Sequence, residues 1–452
     1  MSEVKKERDP YKMRPSQLIG WSGRAISVSV NFVVLGYITF FCTNILALPA
    51  TLVGTLLMAS KIFDGVTDLC AGFLIDKTHT RFGKARPYEF CILGVWVMTI
   101  VLFCCPDMGT IGKAIWVFVT YTFINSIFVT LLSASEPVYM GRAFRYESDR
   151  TKLASVNGLL VTLFCTVISI VFPILMGTLG TTRGGWSTMV LITAIPFMII
   201  GMGRFFLVKE TNVVQQGKEA EKLVLKDFAQ VFKDKYIFII AGVTIIMGLL
   251  TNCISAVQTY YFTYVVGDIK MLSTIGMIGM FTPFILLLMP KVLEKISITR
   301  LFIVASGLGI VACVLRGFAG GNMPVLLVSS LLQGIAGMPS SYYTMLLIID
   351  IIDYNEWKNG ARVEGVVGAI NGFAGKLAGG LAAGMVGIIM GVCGFDGTLA
   401  TQSASAMASI KGLYSWAPAV MFGIVIFIML FFDLEKKMPQ IKADLQKKRE
   451  KQ

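Results

Sequence analysis

The chain has 452 residues, of which 55% are hydrophobic and only 15% charged, with a net charge of +13 and a mean hydropathy of +0.73. A soluble chain carries about a quarter charged residues, and the apolar residues here gather in runs of about 20, the length that spans a bilayer. These figures exclude a soluble enzyme and describe an all-α polytopic membrane protein. The positive charge gathers in loops and tails, which argues against nucleic acid as a partner.

Met1 to Gln17 is polar and basic, without the apolar core and small-residue cleavage site of a signal peptide. Six spans are then predicted, at Ile19–Leu46, Ala50–Ile75, Tyr88–Cys105, Ala114–Val138, Leu153–Leu179 and Trp186–Val208. A polar segment, residues 209–235, follows. Within it Leu225, Phe228 and Phe232 share one helical face, as in a surface amphipathic helix or simply a linker. Six further spans are expected at Tyr236–Val266, Met271–Leu288, Ile298–Phe318, Pro324–Ile352, Val366–Val392 and Leu413–Phe432.

The reading is thus twelve transmembrane helices in two halves, 1–208 and 236–452, joined by 209–235. Two six-helix halves are the layout of the major facilitator architecture, with the substrate path at mid-membrane between them. Lys and Arg crowd both tails, Lys77–Arg86, Arg142–Lys152, the central segment, Lys291–Lys295 and Lys358–Arg362. The opposite side holds little more than Lys113, Arg183, Lys270 and Lys411, so both termini are expected in the cytoplasm, in the inner membrane of a cell. Its partners on this reading are the lipid bilayer and a small-molecule solute.

His79 is the sole histidine, and the nine cysteines show no CxxC or Cys/His spacing. A histidine triad and a multi-histidine metal site are therefore excluded, no resident cofactor or structural metal is expected, and the cysteines read as small apolar residues. No nucleophile–base set marks a membrane enzyme.

Polar residues at membrane depth carry the chemistry. Asp64 and Asp68 stand at i and i+4 in span two, on one helical face, with Lys61 a turn before. Like charges in hydrocarbon must face protein, water or a cation, and need a positive partner or a proton. Thr122, Asn125 and Ser126 lie in span four, Arg24, Ser27, Ser29 and Asn31 in span one, Asn252 and Gln258 in span seven and Lys376 in span eleven. Lys376 is a fixed charge whose least costly partner is a carboxylate; the bland alternative is a pair that only locks helices two and eleven together. The span-one Ser and Asn residues serve equally as hydrogen-bonding glue, Arg24 and Arg204 either snorkel or pair locally, and the glycine-rich run Gly372 to Gly387 reads as close helix packing. Asp350 and Asp353 sit near the cytoplasmic end and suit a gate network better than a ligand site.

The stretch KIFDGVTDLCAGFLIDKTHTRFGKARP (Lys61 to Pro87) resembles the span-two and loop signature of the glycoside–pentoside–hexuronide:cation symporters. QTYYFTYVVGD (Gln258 to Asp268) and IIDIIDYNEWKNGARVEG followed by GFAGKLAGG (Ile348 to Gly380) match as well, so the likeness covers both halves. The resemblance implies a sodium, proton or lithium site at Asp64 and Asp68, helped by Thr122 and Lys376. Gate charges are expected at Asp76, Arg81, Lys84, Arg86, Asp350, Asp353, Glu356, Arg362 and Glu364. Leu69 departs from the usual proline after the second aspartate. The family's sugar-binding charges are missing, since their positions fall on Val28, Asn125 and Asn157. Carboxylates accept several hydroxyls by charge-assisted bonds, an amide does so more weakly and a valine not at all. Asn31, Asn125, Asn252 and Gln258, with Tyr261 and Tyr342, are what remains to orient a solute. The expected function is cation-coupled symport of a glycoside or other sugar by alternating access. The alternatives are a bulkier, less polar solute (an aryl glycoside, terpenoid or steroid), an uncoupled facilitator or exporter, and a lipid-handling protein.

Overall fold

The computed structural model describes residues 13–78, 80–144, 146–210, 234–278, 281, 285, 289–359 and 364–450. The amphipathic face expected around Phe228, the residue Arg362 and the side chains of Asp76 and Glu364 lie outside the described residues. Among the described residues the chain is helical apart from loops and one isolated bridge, Thr80 to Gly83.

Contacts divide the chain into two compact units, Met1–Phe41 with Ala59–Glu219, and Cys42–Met58 with Ala220–Gln452. The helices are α1 (Pro15–Leu35), α2 (Ala50–Lys77), α3 (Cys91–Phe103), α4 (Thr110–Ala143), α5 (Glu147–Leu179), α6 (Arg183–Leu207), α7 (Lys235–Val266), α8 (Met271–Ile278), α9 (Ile298–Ala319), α10 (Met323–Lys358), α11 (Glu364–Val392), α12 (Ala404 through Met429) and α13 (Met438–Glu450). Among the described residues ten helices are long and apolar enough to cross a membrane. The two other expected spans fall on α2, where Lys61, Asp64 and Asp68 interrupt the apolar run, and on 271–288, much of which lies outside the described residues. α2 has 28 residues and is about 42 Å long at 1.5 Å per residue, enough to span despite its charges.

Local sequence sets the helix ends. Pro15 opens α1 at a position where its missing N–H costs nothing. Thr182, Ser297 and Ser403 cap α6, α9 and α12 by accepting backbone N–H bonds from Gly185, Arg300 and Ala406. Widened π-type turns interrupt α4 at Phe123–Val129, α7 at Tyr261–Val266 and α10 at Pro339–Tyr343. Such turns rotate the faces that follow them and are frequent at functional sites. Phe318 is 79% and Val392 78% exposed, surfaces that hydrocarbon covers in a membrane protein.

In the first unit α1 lies against α6 so closely that a methyl on Gly23 would collide with the Ile200 carbonyl oxygen. This is small-residue packing, the usual substitute for a hydrophobic drive between helices in lipid. Beneath it Trp21 packs on Tyr139 and Phe144. In the second unit Gly248 of α7 admits Ala378 of α11, and Gly309 of α9 admits the Phe422 ring of α12.

Candidate cation and solute sites

The first site lies in the first unit, between α2 and α4. Both aspartates are on one face of α2, and α4 presents Thr122, Ser126 and Thr130 to it at four-residue intervals. Thr122 donates to Ser60 Oγ at 3.0 Å, Ser126 donates to Asp64 Oδ1, and Thr130 donates to Asp68 Oδ1 at 3.3 Å. The widened turn of α4 lies across these positions, and Thr130 Oγ1 reaches back five residues to the Asn125 carbonyl at 3.2 Å.

Asp64 is 4% exposed. Its second oxygen takes a hydrogen bond from Lys61 Nζ at 3.1 Å. Lys61 also reaches Asn125 Oδ1 at 3.4 Å and lies over the Tyr121 ring. The positive partner that a membrane carboxylate needs is thus supplied from within α2 itself. The resemblance implies Thr122 as the hydroxyl ligand; in the structure Ser126 and Thr130 touch the carboxylates and Thr122 touches Ser60. The i, i+4, i+8 spacing of the three hydroxyls on α4 was the available signal. Lys376 is exposed on α11 of the second unit.

The second site is a cavity of about 410 Å³ in the second unit, lined by α7, α10 and α12. Gln258 and Tyr342 line it, and so do Thr251, Ser255, Ser340 and Ser341. Tyr261 faces elsewhere: its ring packs at a tilt on Tyr414 and its hydroxyl donates to the Gly320 carbonyl at 2.7 Å. Asn252 is exposed and donates to the Gly248 carbonyl of its own helix at 2.8 Å. Gln333 also lines the cavity; a glutamine at mid-span of α10 is a signal sequence reasoning passed over.

The remaining solute candidates lie in the first unit. Asn31 is buried, donates to Thr99 Oγ1 at 2.8 Å and leaves its own oxygen without a partner. That is the helix-gluing role open to span-one polar residues. Val28 is half-buried on α1, Asn125 is buried beside Lys61, and the buried Asn157 side-chain oxygen meets no hydrogen-bond partner among the described residues.

Arg24 and Arg204 pair locally and do not snorkel. Arg24 bonds Glu89 at 3.1 Å and also Glu136, while Arg204 bonds Glu136 at 2.8 Å and lies 3.5 Å from Glu89. Arg204 is also stacked over the Trp21 ring. Glu89 and Glu136 were not singled out in the sequence, because neither belongs to a recognisable motif. Among the expected gate residues, the Lys84 and Arg86 backbone N–H groups donate to the Glu210 carboxylate, and the Arg86 guanidinium donates to the Phe205 carbonyl. Arg81 lies over the Phe82 ring. In the second unit Asp350 bonds Lys442 of α13 at 2.9 Å. Asp353 and Glu356 are half-buried on the same helix.

A family model described as MFS/sugar transport protein matches residues 23–436. The chain belongs to this family. It is a multi-pass membrane transporter and not an enzyme, and the resemblance to glycoside–pentoside–hexuronide:cation symporters holds over its whole length. The chain is similar to an isoprimeverose transporter of Lactiplantibacillus pentosus, at 27% identity over 99% of this chain and 96% of the relative. It is similar as well to a putative glycoside/cation symporter of Escherichia coli (strain K12), at 24% identity over 91% and 90% of the two chains. Among solved structures, the crystal structure of a D-xylose-proton symporter superposes with a TM-score of 0.64 at 16% identity, covering 92% of this chain and 97% of the other. The fold is therefore that of the major facilitator transporters.

Proposed function

We propose that this transporter is a symporter that couples the downhill entry of sodium or a proton to the uptake of a small hydroxylated solute, a glycoside or related sugar, by alternating access. The observation that carries the cation half is the Asp64 and Asp68 pair, each within reach of an α4 hydroxyl. Carboxylate and hydroxyl oxygens are the ligands a hard cation takes. A bound cation or proton neutralises the pair, which lowers the cost of carrying it through hydrocarbon-lined intermediates. Cation and solute then favour the same state, and the coupling is a free energy shared by both sites. Ser126 and Thr130 complete the cation set within the first unit on this reading, with Thr122 one turn away on Ser60; Lys376, which the resemblance also implies, stands on α11 of the second unit. The solute half rests on the cavity in the second unit, with Gln258 and Tyr342 as its contacts; Val28, Asn125 and Asn157, which fall at the family's sugar positions, belong to the first unit. The hydroxyl- and amide-rich lining favours a sugar over an apolar terpenoid or steroid. The loop charges support a cytoplasmic location for both termini, and on this reading Arg81, Lys84, Arg86, Asp350, Asp353 and Glu356 act at the cytoplasmic gate.

The deciding experiment is solute uptake into proteoliposomes under an imposed sodium or pH gradient. Accumulation above the outside concentration under one of the two gradients is expected. Equilibration that ignores both gradients would leave an uncoupled facilitator.

A further inference from the structure

The cavity of the second unit has one wall group whose hydrogen-bonding sense is set from behind the wall. Arg316, in the last turn of α9, is 2% exposed. Its guanidinium lies over the Tyr414 ring, donates to the Tyr414 carbonyl at 3.3 Å and donates to the Gln333 side-chain oxygen. Among the described residues these two neutral oxygens are its hydrogen-bond acceptors, and its Nε meets none. A buried charge so thinly solvated is costly, and losing either oxygen would make it more so.

Gln333 is at the same time one of the residues that line the cavity. An arginine has donors only, so the atom of Gln333 that faces it is the amide oxygen. Turning the amide over would set its NH2 against the guanidinium, donor to donor, and strip a buried charge of one of its two acceptors. What Gln333 keeps for the cavity is therefore its NH2 group, which donates and cannot accept. Contact of its oxygen with a cation polarises the amide and strengthens those N–H groups as donors. The hydroxyls of the lining are different. Thr251 and Ser341 donate to the Met247 and Gly337 carbonyls of their own helices, at 2.9 and 3.2 Å, which leaves them lone pairs to offer. A hydroxyl changes its sense by rotating about one bond, whereas Gln333 does so only by giving up Arg316.

We propose that Gln333 is a specificity-determining residue of this cavity: it presents a fixed donor that requires an acceptor oxygen of the solute at that point, and Arg316 is the positioning residue that fixes it. This deepens the symport reading and rests on the cavity being the solute site. A solute hydroxyl that meets Gln333 does so through its lone pairs, and a solute that offers only N–H donors there is refused.

The test is binding calorimetry on the full-length purified protein with methyl glucoside and methyl galactoside, each beside its deoxy and deoxyfluoro analogues at every hydroxyl in turn. Fluorine accepts a hydrogen bond weakly and donates none, and hydrogen does neither. At one hydroxyl the fluoro analogue is expected to stay within about threefold of the parent sugar while the deoxy analogue binds about tenfold more weakly, the loss of one hydrogen bond. Gln333→Glu keeps the shape of the side chain and the bond to Arg316 but puts an acceptor where the donor was. It is expected to invert the pattern at that hydroxyl, with the fluoro analogue no better than the deoxy one and the parent, which can turn its O–H to the carboxylate, ahead of both. Arg316→Met lets the amide turn over and should close most of the gap between fluoro and deoxy analogues, and Arg316→Lys, which keeps a donor on the amide oxygen, should restore it. Absence of such a hydroxyl in the wild type overturns the inference, as does a pattern that Gln333→Glu leaves unchanged; a gap that Arg316→Met leaves intact overturns the role given to Arg316. Parent sugars that bind and are weakened by Gln258→Leu, without the fluoro-over-deoxy pattern, would retain the cavity as the solute site and remove only the role of Gln333. Binding indifferent to both Gln258→Leu and Ser341→Val, or no binding by either glycoside, would remove the cavity reading and this inference together.

Discussion

Ser126 donates its hydroxyl to Asp64, and this pair is the middle of three rungs between α2 and α4. The rungs run Ser60 to Thr122, Asp64 to Ser126 and Asp68 to Thr130, each stepping four residues along both helices in the same direction. One helical turn separates consecutive rungs, so a cation held by one carboxylate is next to the other. Ser126→Ala and Thr130→Ala each remove an oxygen from this ladder without touching a charge. Each is expected to raise the cation concentration for half-maximal solute accumulation about tenfold, the loss of one hydrogen-bonding oxygen at a charged group. Thr122→Ala, whose hydroxyl meets Ser60, should shift it less. A titration of uptake against sodium, and against pH, measures the order; a Thr122 effect larger than both others would return the ligand role to that residue.

Removing the charges separates coupling from transport. Asp64→Asn and Asp68→Asn are expected to abolish accumulation against a gradient while sparing exchange of labelled for unlabelled solute. The two should differ in stability. Asp64→Asn leaves Lys61 without the carboxylate that lies 3.1 Å from it, whereas Asp68→Asn leaves that pair intact. A lower melting temperature for Asp64→Asn than for Asp68→Asn, and its recovery in the double variant Lys61→Met with Asp64→Asn, would verify the pairing.

The apolar runs were legible because they rest on a rule of length and cost that the chain cannot evade, and the shared face of Asp64 and Asp68 follows from the helical period alone. Partners were less legible. Thr122 is what the family resemblance implies, and nothing in a linear pattern shows that α4 widens at Phe123–Val129, where a shift of one residue turns a helix face by about 100°. Lys61 was in view, yet Lys376 drew the attention as the buried-cation candidate. Tyr261 shows the opposite error: an aromatic in a recognised motif was given to the solute, and it packs on Tyr414.

The four-charge cluster of Arg24, Glu89, Glu136 and Arg204 joins α1, α4, α6 and the turn before α3. Glu89 and Arg204 are fully buried. Glu89→Gln keeps the shape but leaves two guanidinium groups facing one carboxylate, and a broken buried pair costs about 3–5 kcal/mol. A fall in the melting temperature well beyond that of any single ladder variant is expected. Glu136 is partly exposed, with 30% of its side chain accessible, and Glu136→Gln should cost less.

A smaller tie sits outside the spans. Asp107 in the loop before α4 bonds Arg183 at the start of α6 at 2.7 Å. The Arg183 hydrogen bond and charge, then the Lys113 charge, hold the Asp107 carboxyl below its ordinary 3.8. A lowered folded-state value means the tie stabilises above the unfolded value and is lost as pH falls through the folded one. The wild type should therefore exceed Asp107→Asn slightly in melting temperature at neutral pH, with the gap closing below about pH 4 and shrinking in high salt.

The glycine-rich stretch of α11 divides into two kinds of position. A methyl on Gly387 would lie 2.5 Å from the Gly54 Cα and 2.6 Å from the Ala50 carbonyl oxygen, both backbone atoms of α2 that cannot swing aside. A methyl on Gly375 would meet nothing within 4 Å. The two glycines share a helix and its propensity cost, so only packing separates them. Gly387→Val is expected to destabilise the protein by about 1–3 kcal/mol through overpacking. Gly375→Val should leave the melting temperature nearly unchanged. Thermal unfolding of the two variants side by side measures this, and equal losses would mean that the close approach of α2 and α11 contributes nothing beyond what any glycine in α11 contributes.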